Sequence, residues 1–195
     1  MAGRRIATGL VLAAAGLTAA GCLGGSTKTV TVGHAHTVTI TQTVTTTGSG
    51  TSTKPCTGTQ LAATFTLIPN SAGAGQIAYA LNVKNSSDSS CSVRGVPNGT
   101  LLAANGTGLP TAVRASGDHG RQVVLPPGAS ATARARFSPD VASEGDSQSG
   151  DCQPQAHTFE LVTPGSGGVT EAPIKPPTSV CQRGTLHFEA FDYAG

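Results

Sequence analysis

From residue 56 onward, apolar and polar positions alternate with a period of two. Leu61, Ala63, Phe65 and Leu67 are interleaved with small or polar residues, and Ile77, Tyr79, Leu81 and Val83 repeat the pattern. Ala129, Ala131, Ala133, Ala135 and Phe137 face one way, while Ser130, Thr132, Arg134 and Arg136 face the other. His157, Phe159 and Leu161 alternate again, as do Leu186 and Phe188. A period of two sends successive side chains to opposite faces of a strand, so each run predicts a strand with one buried face. Cys91–Val96 and Val123–Leu125 read as shorter strands. Asn105-Gly106, between Leu101-Leu102 and Leu109, predicts a type I′ hairpin because both residues tolerate positive φ. Pro126-Pro127-Gly128 must end the strand before it. No segment carries a convincing helical period. About seven to nine short strands separated by such turns predict an all-β chain folded as an antiparallel β-sandwich.

The pattern changes upstream. Residues 23–55 are rich in Thr, Gly and Ser, with Val30, Val32, His34, His36, Val38 and Ile40 at even positions and mostly Thr between them. Val and Thr are stiff at χ1 and favour extended backbone. The segment has few large apolar residues to bury, so it reads as a flexible tether, with an edge strand docked on the domain as the alternative. As a coil it would reach roughly 30 Å, and fully extended on the order of 100 Å. His34 and His36 share a face, but no acidic or Cys partner stands near to complete a metal site, so no metal is expected there.

Before the tether lies a leader. Met1–Arg5 is a short basic region and Ile6–Ala20 an apolar run of fifteen residues. A spanning helix needs about 20, so residues 1–21 read as a signal peptide. The run closes on Leu17-Thr18-Ala19-Ala20-Gly21-Cys22, which resembles the lipobox of bacterial lipoproteins, with Ala19 where that motif usually has Leu. The resemblance implies cleavage before Cys22 and a diacylglyceryl group on its thiol. Two acyl chains give stable anchoring where one is marginal. The expectation is an exported chain, lipid-anchored through Cys22 at the outer face of the cytoplasmic membrane, in the cell envelope.

Removing the leader changes the charge. Arg4 and Arg5 are two of twelve basic residues, so ten basic and ten acidic residues remain. Without a positive balance, and with no Trp, nucleic-acid binding is not expected. Setting Cys22 aside leaves Cys56, Cys91, Cys152 and Cys181, an even count that implies disulfides in an exported domain. Three connectivities are possible. If the first two strands form a hairpin, Cys56 and Cys91 share one end. A return of the chain through Gly168–Ile174 likewise brings Cys181 to Cys152. Cys56–Cys91 and Cys152–Cys181 are therefore the preferred pairs. The expected organisation is signal peptide 1–21, tether 22–55 and disulfide-bonded domain 56–195.

Several segments taken together resemble a family known as domain of unknown function 4232, found in actinobacterial lipoproteins. They are Tyr79-Ala-Leu81-Asn-Val83-Lys-Asn85-Ser-Ser, Cys91-Ser-Val-Arg-Gly95-Val-Pro97, Val124-Leu125-Pro-Pro127-Gly128-Ala-Ser130-Ala131, and the closing Cys152-Gln-Pro with Cys181. The resemblance implies an immunoglobulin-like sandwich and supplies no activity and no functional residues. Phe137 stands where a Trp is frequent, and Ser138–Gly150 reads as an insertion.

Candidate chemistry is sparse. Ser116, Asp118 and His119 share one Gly-flanked loop, but a hydrolase triad needs a base within reach of its nucleophile and a group orienting it. Adjacent loop residues rarely provide that, so the loop reads as a solvated turn. Asp140, Glu144, Asp146 and Asp151 miss the spacing of a calcium loop and read as a solvated acidic stretch. Arg134 and Arg136 could contact an anionic polymer or partner carboxylates, or form a plain exposed face. The sequons at Asn85, Asn98 and Asn105 mainly report turns. The expected function is that of a cell-surface lipoprotein with a non-catalytic sandwich, without cofactor, that binds a protein or cell-envelope component. An envelope-acting enzyme and a metal or small-ligand carrier are the alternatives.

Overall fold

The computed structural model describes residues 53–164 and 167–194. The signal peptide, Cys22, His34, His36 and most of the tether lie outside the described residues. Eleven strands occur among those described: β1 (Leu61–Leu67), β2 (Ile77–Asn85), β3 (Cys91–Arg94), β4 (Asn98–Leu102), β5 (Ala112–Ala115), β6 (Gln122–Leu125), β7 (Ser130–Phe137), β8 (Ala156–Val162), β9 (Val169–Thr178), β10 (Thr185–Phe188) and β11 (Asp192–Tyr193). No helix here is long and apolar enough to cross a membrane.

One sheet path runs β4-β8-β9-β1-β2-β7-β10-β5, with β11 on β7, while β3 and β6 pair separately. The path turns at β9. Its first half pairs antiparallel with β8, Phe159 opposite Ala172. Its second half runs parallel to β1, Ile174 opposite Phe65. Phe159 of β8 then packs on Phe65 of β1 at 5.7 Å and on Phe188 of β10 at 5.5 Å, so the two ends of the path face each other across a shared core. The chain is the expected all-β sandwich. Its pairing is mixed, because β1–β9 and β5–β10 are parallel. Pro173, Pro176 and Pro177 in β9 have no N–H to give a ladder, which limits its pairing with β1 to two residues.

The inward set follows the alternation. Phe65, Tyr79, Leu81, Val83, Ala131, Ala133, Ala135, Phe137, Phe159, Leu186 and Phe188 are all buried. Tyr79 bridges Phe65 and Phe137, each ring 5.3 Å away, and its hydroxyl donates to the Pro176 carbonyl at 2.9 Å. The disulfides are Cys56–Cys91 and Cys152–Cys181, the pairs the hairpin argument gives. The Asn105-Gly106 hairpin forms with a different turn from the one expected. Only Gly106 has positive φ, and its N–H donates to Ala103 O at 2.9 Å. The Asn105 side chain accepts the Thr107 N–H instead. The result is a three-residue loop with glycine in the left-handed position, which closes a hairpin as well as a type I′ turn.

Candidate functional site

The segment Cys91-Ser-Val-Arg-Gly95-Val-Pro97 shapes an apolar concavity of the domain. β3 ends at Arg94. Gly95, at φ 73°, lets the chain turn, and its carbonyl accepts the Phe191 N–H at 2.9 Å. Pro97 is buried and feeds β4. Facing this turn is the end of β8, Leu161–Val162, followed by Thr163 and Pro164. The gap between them is a cavity of about 270 Å³, floored by Val93, Leu161 and Phe191 and walled by Val96, Pro97 and Val162. Arg94 and Asn98 stand at its rim and are exposed.

Two further hollows adjoin it. One of about 660 Å³ continues past Gly95 to Val113 and His119. The other, of about 340 Å³, is bordered by Thr53, Lys54 and Gln122. Arg94 and Pro164 border all three. Among the described residues, no hydrogen bond or ion pair engages the Arg94 side chain. The tether also reaches the domain here. The Ser92 N–H donates to Lys54 O at 2.9 Å, and the Gln122 amide donates to Thr53 O at 3.0 Å and to the Ser92 hydroxyl.

The chemistry of this cleft is that of contact. Its walls are apolar, and the one hydroxyl in it, Thr163, donates to Gly168 O at 2.7 Å. It can seat an apolar group and offer a guanidinium to an oxyanion beside it.

The other sequence candidates fall elsewhere. Ser116, Asp118 and His119 are all exposed, and no hydrogen bond joins their side chains. Among the described residues, no group of three or more His, Cys, Asp or Glu could hold a metal ion. The acidic stretch differs from the expected solvated loop at one residue. Asp146 is buried, 8% exposed, and its carboxylate accepts five hydrogen bonds. The donors are the Ser143 N–H (2.8 Å) and hydroxyl, the Gln153 amide (2.7 Å), and the N–H groups of Gln182 (2.6 Å) and Arg183 (2.9 Å). Gln182 and Arg183 have φ of 57° and 55°, so Cys181–Gly184 is a left-handed turn whose successive N–H groups converge on one anion. Burial alone would raise the Asp146 pKa. The bonds from Ser143, Gln153, Arg183 and Gln182 outweigh it and hold the carboxyl well below the usual carboxylate range. Asp146 thus pins the insertion to the turn beside Cys152–Cys181, a structural use that its sequence spacing did not reveal.

Of the three sequons, Asn85 is fully buried. Its amide donates to Ser89 O and Leu125 O, both at 2.8 Å, and its carbonyl accepts from Ser87 N–H and hydroxyl. That network ties the end of β2 to β6. Arg134 and Arg136 point outward from β7, away from the cleft, Arg136 being exposed and Arg134 half-buried.

A family model described as Domain of unknown function (DUF4232) matches residues 56–191. No curated protein matches the chain, and no solved structure does.

Proposed function

The chain belongs to the DUF4232 family, and on that premise we propose that it is a lipid-anchored, exported binding module that holds a protein partner at the cleft beside Arg94. The observation that carries this reading is the 270 Å³ apolar cavity built on the Cys91–Pro97 segment. Its volume falls just under the roughly 300–1,000 Å³ of small-molecule sites, which suits one or two apolar side chains of a partner. Fully burying one such side chain contributes about 1.5–3 kcal/mol, the scale of an interface anchor. Arg94 beside the cavity supplies a charge-assisted contact for a partner carboxylate. The leader and Cys22 support export and anchoring. Residues 23–52 supply the reach for a partner held some distance from the membrane. Recognition without catalysis is supported by the lining itself, which presents apolar walls and a hydroxyl already bonded to backbone.

The test is capture from envelope extracts of the native host, using residues 23–195 as bait. Val162 is 44% exposed at the lip, so Val162→Lys keeps the fold while closing the cavity mouth with charge. Arg94→Glu reverses the rim. A protein captured by wild type and depleted at least tenfold by both variants supports the reading. Equal capture by all three baits, or no protein captured, overturns it.

A further inference from the structure

A second surface lies on the outward side of the sheet β9-β1-β2-β7-β10-β5. Arg136 of β7 is opposite His187 of β10, and His187 is opposite Arg114 of β5. Residues paired in register project to the same face, so these three form one row across three strands, all exposed. Arg134 sits two residues from Arg136 on that same face, about 7 Å along the strand. The Arg134 row continues through Ala80 and Thr66 to Lys175, which is exposed. Lys84 of β2 lies on the same face, in the row of Ser130 and Ala62. At about 4.8 Å per strand, the six strands from β5 to β9 carry cations across roughly 24 Å.

Little negative charge answers them. Glu189 follows β10 beside Arg134, and Asp192 is 3.9 Å from Arg121. Glu171 stands opposite Glu160 of β8 and is exposed on β9 four residues before Lys175, so the acids on this side are present but fewer than the cations. A chain whose ten basic and ten acidic residues balance after its leader thus has a cationic face. Arg134 adds a separate observation. Its Nε is buried and has no hydrogen-bond partner. Buried donors are nearly always met, so an unmet one calls for an explanation. An oxyanion engaging the guanidinium after a small turn of the side chain would supply the missing acceptor.

We infer that this face binds a linear anionic polymer, its phosphate or carboxylate groups lying across the strands from Arg114 to Lys175. The length of the track favours a polymer over a point anion. The residues between the cations are small, hydroxylated or amide-bearing, Ala80, Thr66, Thr132 and Asn82, which leaves a low floor for an extended chain. Among the described residues, the exposed large apolar side chains are Leu67, Val141, Val162, Val169 and Tyr193, and none stands in these rows to serve as a wedge for a bilayer. Among the described residues, the one exposed ring in these rows is His187, so successive bases would find no run of platforms on which to stack.

The experiment measures binding of residues 23–195, whose folded unit has its own core, to polyphosphate and to polygalacturonate. Phosphatidylglycerol vesicles and single-stranded DNA are the comparison probes. About four neutralised charges give a salt slope near −3, so affinity should fall roughly fifty-fold between 50 and 200 mM salt. Arg114→Gln/Arg136→Gln should weaken binding at least tenfold, while Val141→Ser, at an exposed position outside these rows and outside the cleft, leaves it unchanged, with unaltered melting temperatures showing that the fold survives. Whichever polymer binds more tightly identifies the anionic group. The inference is overturned if neither polymer binds at 50 mM salt, if the double variant binds as wild type does, or if vesicles or DNA bind more tightly than both polymers. Because Arg114 and Arg136 do not line the cleft, failure here leaves the cleft reading intact.

Discussion

Replacing Asp146 by Asn removes the charge from a carboxylate that is 8% exposed and accepts five hydrogen bonds. An amide can accept with one end only. Its NH₂ end must then face donors, either the Ser143 and Gln182 N–H groups on one side or the Gln153 amide and Arg183 N–H on the other. Hydrogen bonds to a charged group contribute about 1.5–3 kcal/mol each, and an unmet buried donor costs about 1–3 kcal/mol. Because the bonds share one acceptor they do not add, and the expected loss is about 3 kcal/mol. For a domain of this size that lowers Tm by about 10 °C. The effect depends on pH in a defined direction. The folded pKa lies below the unfolded value of about 3.9, so the stabilisation is complete above that value and is lost as pH falls toward the folded pKa. Between pH 5 and pH 2.5 the stability gap between wild type and Asp146→Asn should narrow. Urea unfolding followed by circular dichroism at several pH values measures it. Equal stability at pH 7, or a gap that does not change with pH, would refute the assigned role.

Three further outcomes follow from the geometry. Asn85→Ala should cost about 2–3 kcal/mol in urea unfolding, because it strands the Leu125 and Ser89 carbonyls that the amide now meets. Gly184→Ala should fail to yield folded protein, since its Cβ would sit 1.7 Å from Pro110 O at φ +71°, whereas Gly128→Ala, at φ +79° in open space, should cost only about 1–2 kcal/mol; yield and Tm compare them. Intact-mass analysis of the protein from membranes of its host should find an N-terminus at Cys22 carrying diacylglyceryl mass, and cleavage elsewhere or an unmodified thiol would refute the anchor.

The strands with strict alternation were legible. Ala131, Ala133, Ala135 and Phe137 are buried as their spacing requires, because a period-two pattern reports a half-buried strand directly. β9 was only partly legible, since its prolines argue against a strand, and it forms by pairing with two different partners in its two halves. β5 was missed because it is four residues long and its inward pair, Val113 and Ala115 opposite Leu186 and Phe188, is small and only half-buried or exposed, which leaves too short an alternation to read. Asp146 was read as solvated because its donors at Gln182 and Arg183 lie 36 and 37 residues away, and a left-handed turn of two non-glycine residues has no compositional signal. The cationic face shows the same limit. Arg134 and Arg136 were visible as a pair, but Arg114 and His187 join them only through register. The cleft was legible as a motif, Cys91–Pro97, and not as a cavity, because Leu161, Val162 and Phe191 complete it from distant segments.

The central claim is that the cleft beside Arg94 is where this module meets a protein. A photo-crosslinking residue placed at Val162, in the full-length chain in its own cells, tests it most directly, with the same residue at Leu67 as the comparison because Leu67 is 39% exposed and does not line the cleft. A cleft that holds a protein gives a discrete adduct from position 162 that is absent from position 67 and is lost when Arg94→Glu is added. Identical adducts from both positions, or none from position 162, would contradict it.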